Sequence, residues 1–288
     1  MRVIVALMSL GRATLVAGIA VAATGFATAA APQAPYPMPC GVVAWFDGSS
    51  TQNLVLSINN LQWFGNESYG PGFVGASSFY FDGVSGAQIR GAEMTQAPTS
   101  FTVEFFARLE RDDQSSGDPY AGGCLGGCIV LCDSSHGFGD GTGFAFAGSA
   151  GTGRVHAGIG DGSLFYQGDD SDSFSAVFAP GNTMDDEWHH YAATYDEHTQ
   201  WFTFYLDGAE QGRVLVDYES SRRALNLGFW RTRTGIEARH VTGWIDELCV
   251  YLQALTPGTI RGIYRAGSAG KTFVSVGTGG KPTVPRQR

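Results

Sequence analysis

The chain has 288 residues, 41 of them Gly, with 12% aromatic and only 16% charged residues, a composition that suits a turn-rich sheet protein and excludes a coiled coil or a disordered chain. Eighteen Lys and Arg against 27 Asp and Glu give a net charge of −9, which excludes nucleic acid as the partner, since phosphate binding needs a basic footprint. The length fits one domain, as all-β domains of more than about 200 residues are ordinary single domains.

In chain order, Arg2 and Arg12 supply positive charge, Ala13 to Phe26 is apolar and Ala-rich, and Ala27-Thr28-Ala29 has the small-x-small form of a cleavage site. A secretory signal peptide is expected over residues 1–29, ahead of a Pro-rich linker over 30–40. A membrane anchor is the rival reading, disfavoured because the run is short and broken by Gly18 and Gly25. No later apolar run has spanning length, so no transmembrane segment is expected in the mature chain, which is placed in the periplasm, the medium or the cell surface. Loss of Arg2 and Arg12 would make it more acidic still.

From Val42 the chain repeats one unit, an alternating strand followed by Asp-Gly: VVAWF before Asp47-Gly48, SSFYF before Asp82-Gly83, and WFTFYL before Asp207-Gly208. Asp-Gly favours the positive φ angles of tight turns, and its repetition after strands predicts an antiparallel sheet protein. Ser100–Leu109 (SFTVEFFARL) is another strand, with Glu104 isolated among apolar residues. Trp188 to Tyr195 and Trp201 to Leu206 read as two strands joined by the polar turn Asp196 to Gln200.

The last element runs from Gly243 to Gly267. Period two puts Asp246, Leu248, Val250 and Leu252 on one side of a strand and Ile245, Glu247, Cys249 and Tyr251 on the other. Thr256 is the expected cap of a helix that opens on Pro257, buries Ile260, Ile263 and Tyr264, and stops at Gly267. Two basic groupings, Arg222, Arg223, Arg231 and Arg233, and Lys271, Lys281, Arg286 and Arg288, read as solvated charge, the second in a disordered tail over 271–288.

Taken together, VVAWFDG, GASSFYFDGVSGAQI, SFTVEFFARL, EWHHYAATYD, FTFYLDG and the closing strand and helix resemble, in the same order, a laminin-G-like domain of the concanavalin A-like lectin/glucanase superfamily, of the bacterial secreted kind. The resemblance covers residues 41–270. It implies an all-β, two-sheet antiparallel jelly-roll sandwich with a short C-terminal helix.

One fold hosts many activities, so function must be argued from a site. Retaining glycosidases need two carboxyl groups about 5 Å apart, which the β-glucanases of this fold supply as E-I-D-x-x-E. The corresponding segment here is Trp244-Ile245-Asp246-Glu247-Leu248-Cys249: Trp and Cys replace the outer acids, and alternation sends Glu247 away from Asp246. His189 and His190 have no nucleophile motif beside them and read as structural. The resulting expectation is a secreted, non-catalytic module that binds a glycan or an extracellular protein. A polysaccharide-cleaving enzyme and a purely structural envelope protein are the alternatives.

Trp63 and Trp230, each in polar, Gly-containing surroundings, are the candidate sugar platforms, whereas Trp45 and Trp188 are assigned to the core. The resemblance also implies calcium at the sandwich rim, carried over to Asp82 and Asp246. The same residues can instead bond turn amides or pair with a neighbour. Of the cysteines, Cys40 and Cys249 form a plausible bridge, because terminal strands of this fold tend to be neighbours. Cys124, Cys128 and Cys132 lack the short Cys-x-x-Cys spacing of a zinc knuckle and read as a local disulfide. If 128–132 is a strand, Cys128 and Cys132 share a face while Ile129 and Leu131 fill the core.

Overall fold

In the computed structural model, residues 36–56, 60–89, 100–111, 128–133, 142–149, 152–162, 174–220, 224–231, 237–271 and 273–274 are described. The expected signal peptide over 1–29, most of the expected linker, Cys124, Arg222, Arg223, Arg233, Lys281, Arg286 and Arg288 lie outside them. Two antiparallel sheets form a sandwich, as the resemblance implied.

Seven strands make one sheet, in the order β11 (Phe174–Phe178), β10 (Arg154–Gly160), β9 (Phe144–Ser149), β8 (Ile129–Cys132), β15 (Leu225–Leu227), β6 (Gly86–Ile89) and β3 (Leu61–Phe64). The other runs β14 (Ala209–Leu215), β13 (Trp201–Leu206), β12 (Trp188–Asp196), β7 (Phe101–Leu109), β18 (Thr242–Tyr251), β5 (Ser78–Asp82) and β4 (Tyr69–Gly70), with β2 (Val42–Phe46) also paired to β18. Two small sheets are β1 (Tyr36–Pro37) with β19 (Phe273–Val274), and β16 (Trp230–Arg231) with β17 (Glu237–Ala238). The single helix among the described residues, α1, spans Pro257–Ser268. None is long and apolar enough to cross a membrane.

Alternation explains the sandwich. Phe79, Phe81, Phe105, Ala107, Tyr191, Phe202 and Phe204 from one sheet meet Ile89, Leu131, Phe146, Val155 and Leu227 from the other in one buried core. Each fully buried Phe or Leu contributes roughly 1.5–3 kcal/mol, which holds the sheets face to face. At Asp207-Gly208 both residues have positive φ, 50° and 71°, and join β13 to β14 as a two-residue hairpin. By contrast, Asp82-Gly83 carries the chain from β5 in one sheet to β6 in the other.

Two bulges revise the alternation. In β8 the register against β9 shifts between Ile129 and Leu131. Val130 and Leu131 therefore both enter the central core with Cys128, while Ile129 and Cys132 share the opposite face. In β18, Asp246 pairs with Phe106 but Cys249 with Glu104, so Glu247 and Leu248 together oppose one residue. Glu247 takes φ 50°, a left-handed position usual for Gly in such a bulge. The consequence is that Ile245, Leu248 and Val250 all face the core, whereas simple alternation separates Ile245 from the other two.

α1 begins as expected, the Thr256 hydroxyl accepting from the Thr259 amide at 3.2 Å. Ile260 and Ile263 bury against Trp45, Tyr205, Cys249 and Tyr251 on the outer face of the eight-stranded sheet. Gly267 lies inside the helix instead of ending it. A Cβ there would sit 2.3 Å from the Phe106 ring, so its role is close approach.

The expected Cys40 to Cys249 bridge does not form. Cys249 is fully buried and pairs with Trp45, five residues beyond the exposed Cys40. Cys40→Ser is accordingly expected to change unfolding free energy by less than about 0.5 kcal/mol, against the 2–5 kcal/mol typical of losing a native disulfide. Denaturant titration under oxidising conditions measures the difference.

Candidate functional site

Because Phe79, Phe81, Ile245, Ala107 and Leu109 point into the sandwich, their neighbours in sequence point outward. On three adjacent strands these are Tyr80, Trp244 and Arg108, and Trp188 on the fourth, an odd number of positions from the core residue Tyr191, joins them; register sets them in one line: Tyr80 opposite Trp244, Trp244 opposite Arg108, and Arg108 opposite Trp188. All four are half-buried. Three inter-strand steps make the row about 14 Å long.

The members are held in place. The Tyr80 and Trp244 rings lie 5.0 Å apart, and the Arg108 guanidinium carbon sits 4.8 Å from the Trp244 centroid. Gly70 permits this, since a Cβ there would come within 2.3 Å of Trp244 Nε1. Arg108 donates through Nε and Nη2 to both oxygens of Asp186, at 2.7 and 2.9 Å. That fork holds the Asp186 carboxyl below its ordinary range, and it leaves three of five guanidinium N–H donors for another acceptor. At the far end Phe73 packs 5.5 Å from Trp188 and 4.9 Å from Phe106.

Asp246 fixes Phe73. Its Oδ2 accepts from the Phe73 and Val74 amides, both at 2.9 Å, and its Oδ1 from the Glu247 amide at 2.9 Å. Burial pushes the Asp246 carboxyl up to about 7 although all three amides favour the ionised form. Glu247, buried beside that carboxylate and accepting from Trp45 Nε1 at 2.6 Å, is pushed up to about 9.

Farther along the face, under α1, Glu104 accepts from the Tyr251 hydroxyl at 3.2 Å and contacts His190 Nε2 at 3.1 Å. Glu104 is therefore not isolated. His190 is fully buried there, while His189 is held by Asp207 at 2.9 Å and Asp185 at 3.3 Å. The Asp207 hydrogen bond raises the His189 pKa against the effect of burial. The bulge at Glu247 also corrects the expectation that Asp246 and Glu247 point apart: Glu247 joins the outward side with Trp45. Glu104 and Asp246 are 0% exposed and Glu247 1%.

The tryptophans chosen from sequence are placed differently. Trp230 is 2% exposed and packs among Ile129, Cys132, Ala145 and Ala147, so it offers no face. Trp63 packs on the core edge beside Phe79 and Phe81, at 6.1 and 5.2 Å. Trp188, assigned to the core from sequence, is half-buried in the outward row.

Asp82 and Asp246, the positions carried over for calcium, stand apart. Asp82 pairs with Thr242, four residues and about 13 Å along the strand from Asp246. Asp82 caps its own turn, accepting from the Val84 and Ser85 amides at 3.1 and 2.8 Å. Among the described residues no group of three or more His, Cys, Asp or Glu is arranged to hold a metal ion.

A two-sheet antiparallel sandwich with a C-terminal helix on one outer face defines a jelly-roll protein of the lectin and glucanase class. Residues 81–261 match the family model Laminin_G_3, described as the concanavalin A-like lectin/glucanases superfamily, and the chain belongs to that superfamily. No curated protein is similar enough to match.

Among solved structures, the chain is similar to domain 4 of AbnA, a GH43 extracellular arabinanase from Geobacillus stearothermophilus, in complex with arabinotriose. The two share 13% identity at a TM-score of 0.53, over 77% of this chain and 98% of that domain. It is also similar to the binding domain of botulinum neurotoxin DC, solved with rat synaptotagmin II (9% identity, TM-score 0.53, 79% of this chain, 52% of that one). A third is the binding domain of Paraclostridial Mosquitocidal Protein 1 (11%, TM-score 0.57, 78% and 52%). The chain thus spans about half the length of the two toxin domains. At these identities the likeness is one of fold.

Proposed function

We propose that this protein is a non-catalytic carbohydrate-recognition module working outside the cytoplasm, and that its binding face is the row Tyr80, Trp244, Arg108 and Trp188. The observation that carries the reading is the alignment of three half-buried aromatic residues and an oriented guanidinium on the outer face of the eight-stranded sheet. Flat apolar rings with a few placed donors are what a sugar needs from a protein surface. The arabinotriose complex of the similar arabinanase domain supports a sugar as ligand for this fold. Arg2, Arg12, the apolar segment 13–26 and Ala27-Thr28-Ala29 support export.

A hydrolase is the second reading, favoured by the gathering of Glu104, Asp246 and Glu247 on one face, since shifted carboxyl groups often mark active sites. Their burial opposes it: at 0–1% exposure no sugar reaches them. Purified protein incubated with insoluble polysaccharides is expected to be retained on at least one without releasing new reducing ends. Retention should be the same with and without chelator, because the carboxylates of Asp82 and Asp246 serve backbone amides. Release of reducing ends abolished by Glu104→Gln would overturn the non-catalytic reading.

A further inference from the structure

We propose, resting on the glycan-recognition reading above, that the ligand is an uncharged, linear oligosaccharide that lies across the strands along the row from Tyr80 to Trp188. Two features of the row select this class. One is charge. The only cation in the row is Arg108, and both carboxylate oxygens of Asp186 already take its N–H donors. Glu110 and Glu187 add further negative potential at the same guanidinium, on a chain whose net charge is −9. A uronate or sialate would meet a neutralised arginine ringed by like charge, and like-charge contacts suppress wrong partners. Hydroxyl groups, in contrast, can accept from the three remaining Arg108 donors and donate to Asp186, whose side chain is 52% exposed.

The second feature is extent. The row is a line about 14 Å long, one residue wide, with rings at both ends and the donor group between Trp244 and Trp188. A single sugar covers one ring, so the remaining rings contribute only when successive units of the same chain lie on them. Phe73, tied down by Asp246, packs on Phe106 and Trp188 and flanks the row on one side. Because the row crosses β5, β18, β7 and β12 in register, a chain lying on it runs across the strands.

Titration calorimetry with the full-length protein tests the assignment, using neutral arabino-, xylo- and cello-oligosaccharides of one to four units against sialyllactose and oligogalacturonate. Affinity is expected to rise by about tenfold or more from one unit to three and then level off, with the acidic sugars binding more weakly than neutral ones. Trp244→Ala and Trp188→Ala should each weaken the neutral trisaccharide by about tenfold or more, the typical consequence of truncating a central aromatic anchor. Trp244→Phe, which keeps a ring, guards against misfolding and should retain most of the affinity.

Tighter binding of the acidic sugars, still lost in Trp244→Ala, would overturn the uncharged-chain proposal and leave the glycan-binding face standing. Equal affinity for one unit and three would do the same. Neutral-sugar binding that survives both alanine substitutions would overturn the face itself, and binding of none of these sugars, or only of a protein ligand, would overturn both.

Discussion

Stability is expected to fall as pH rises from about 4, more steeply up to about 7 than from there to about 9, and then to level off, because Asp246 and Glu247 are buried carboxyl groups whose pKa values burial pushes up to about 7 and about 9. The sign follows from linkage. Unfolded, both groups ionise near their ordinary values of 3.8 and 4.5, so between about pH 4 and 9 the folded chain holds more protons than the unfolded one. Their contribution is fully present below the unfolded pKa values and is lost as pH rises from there through the folded ones. For Glu247 alone the loss is several kcal/mol, at about 1.4 kcal/mol per pH unit over that window.

Glu247→Gln removes the ionisable group, while its amide oxygen can still accept from Trp45 Nε1. The variant should melt higher than the parent above pH 8 and match it more closely near pH 5. Superimposable melting curves for the two proteins from pH 5 to 9.5 would refute the assignment.

The same two residues show how far the sequence could be read. Strand positions, the Asp207-Gly208 hairpin and the Thr256 cap follow from local chemistry, and all three appear in the structure as expected. The row Tyr80, Trp244, Arg108 and Trp188 does not, although Tyr80, Trp244 and Arg108 each occupy the slot next to a core residue in their own strands. Period two assigns a residue to a face, but only the pairing of β5, β18, β7 and β12 makes those faces adjacent. Strand order is set by contacts distant in sequence, such as Trp244 with Tyr80, 164 positions earlier.

Bulges defeat alternation for a related reason. Glu247 adopts a backbone angle usual for Gly, and nothing in its identity signals that. Its effect is to gather acids that simple periodicity separates. Trp230 is buried although its sequence neighbours are polar and Gly-rich, because those neighbours do not determine what packs on an indole in space. Asp82 and Asp246 were singled out as metal ligands for their oxygens, and those oxygens do bind donors, namely backbone amides.

Because its oxygens accept from three backbone amides, Asp246 is the residue whose removal should cost most. Asp246→Ala leaves the Glu247 and Val74 amides buried without an acceptor and strips the part-buried Phe73 amide of its bond. An orphaned buried donor costs about 1–3 kcal/mol, so even after the relief of removing a buried carboxyl group the net loss should be roughly 3 kcal/mol or more. Asp246→Asn keeps one acceptor oxygen but turns an NH₂ group toward amide donors, and should lose less, about 1–3 kcal/mol. Urea titration at pH 6 ranks the three proteins. Where the asparagine NH₂ group faces the Phe73 amide, the tether beside Trp188 is lost, and that variant, still folded, should then also bind the neutral trisaccharide more weakly than the parent. A stability change of less than about 0.5 kcal/mol for the alanine variant, the range of ordinary surface substitutions, would mean that the loop from Pro71 to Ser77 is held by something other than this carboxylate.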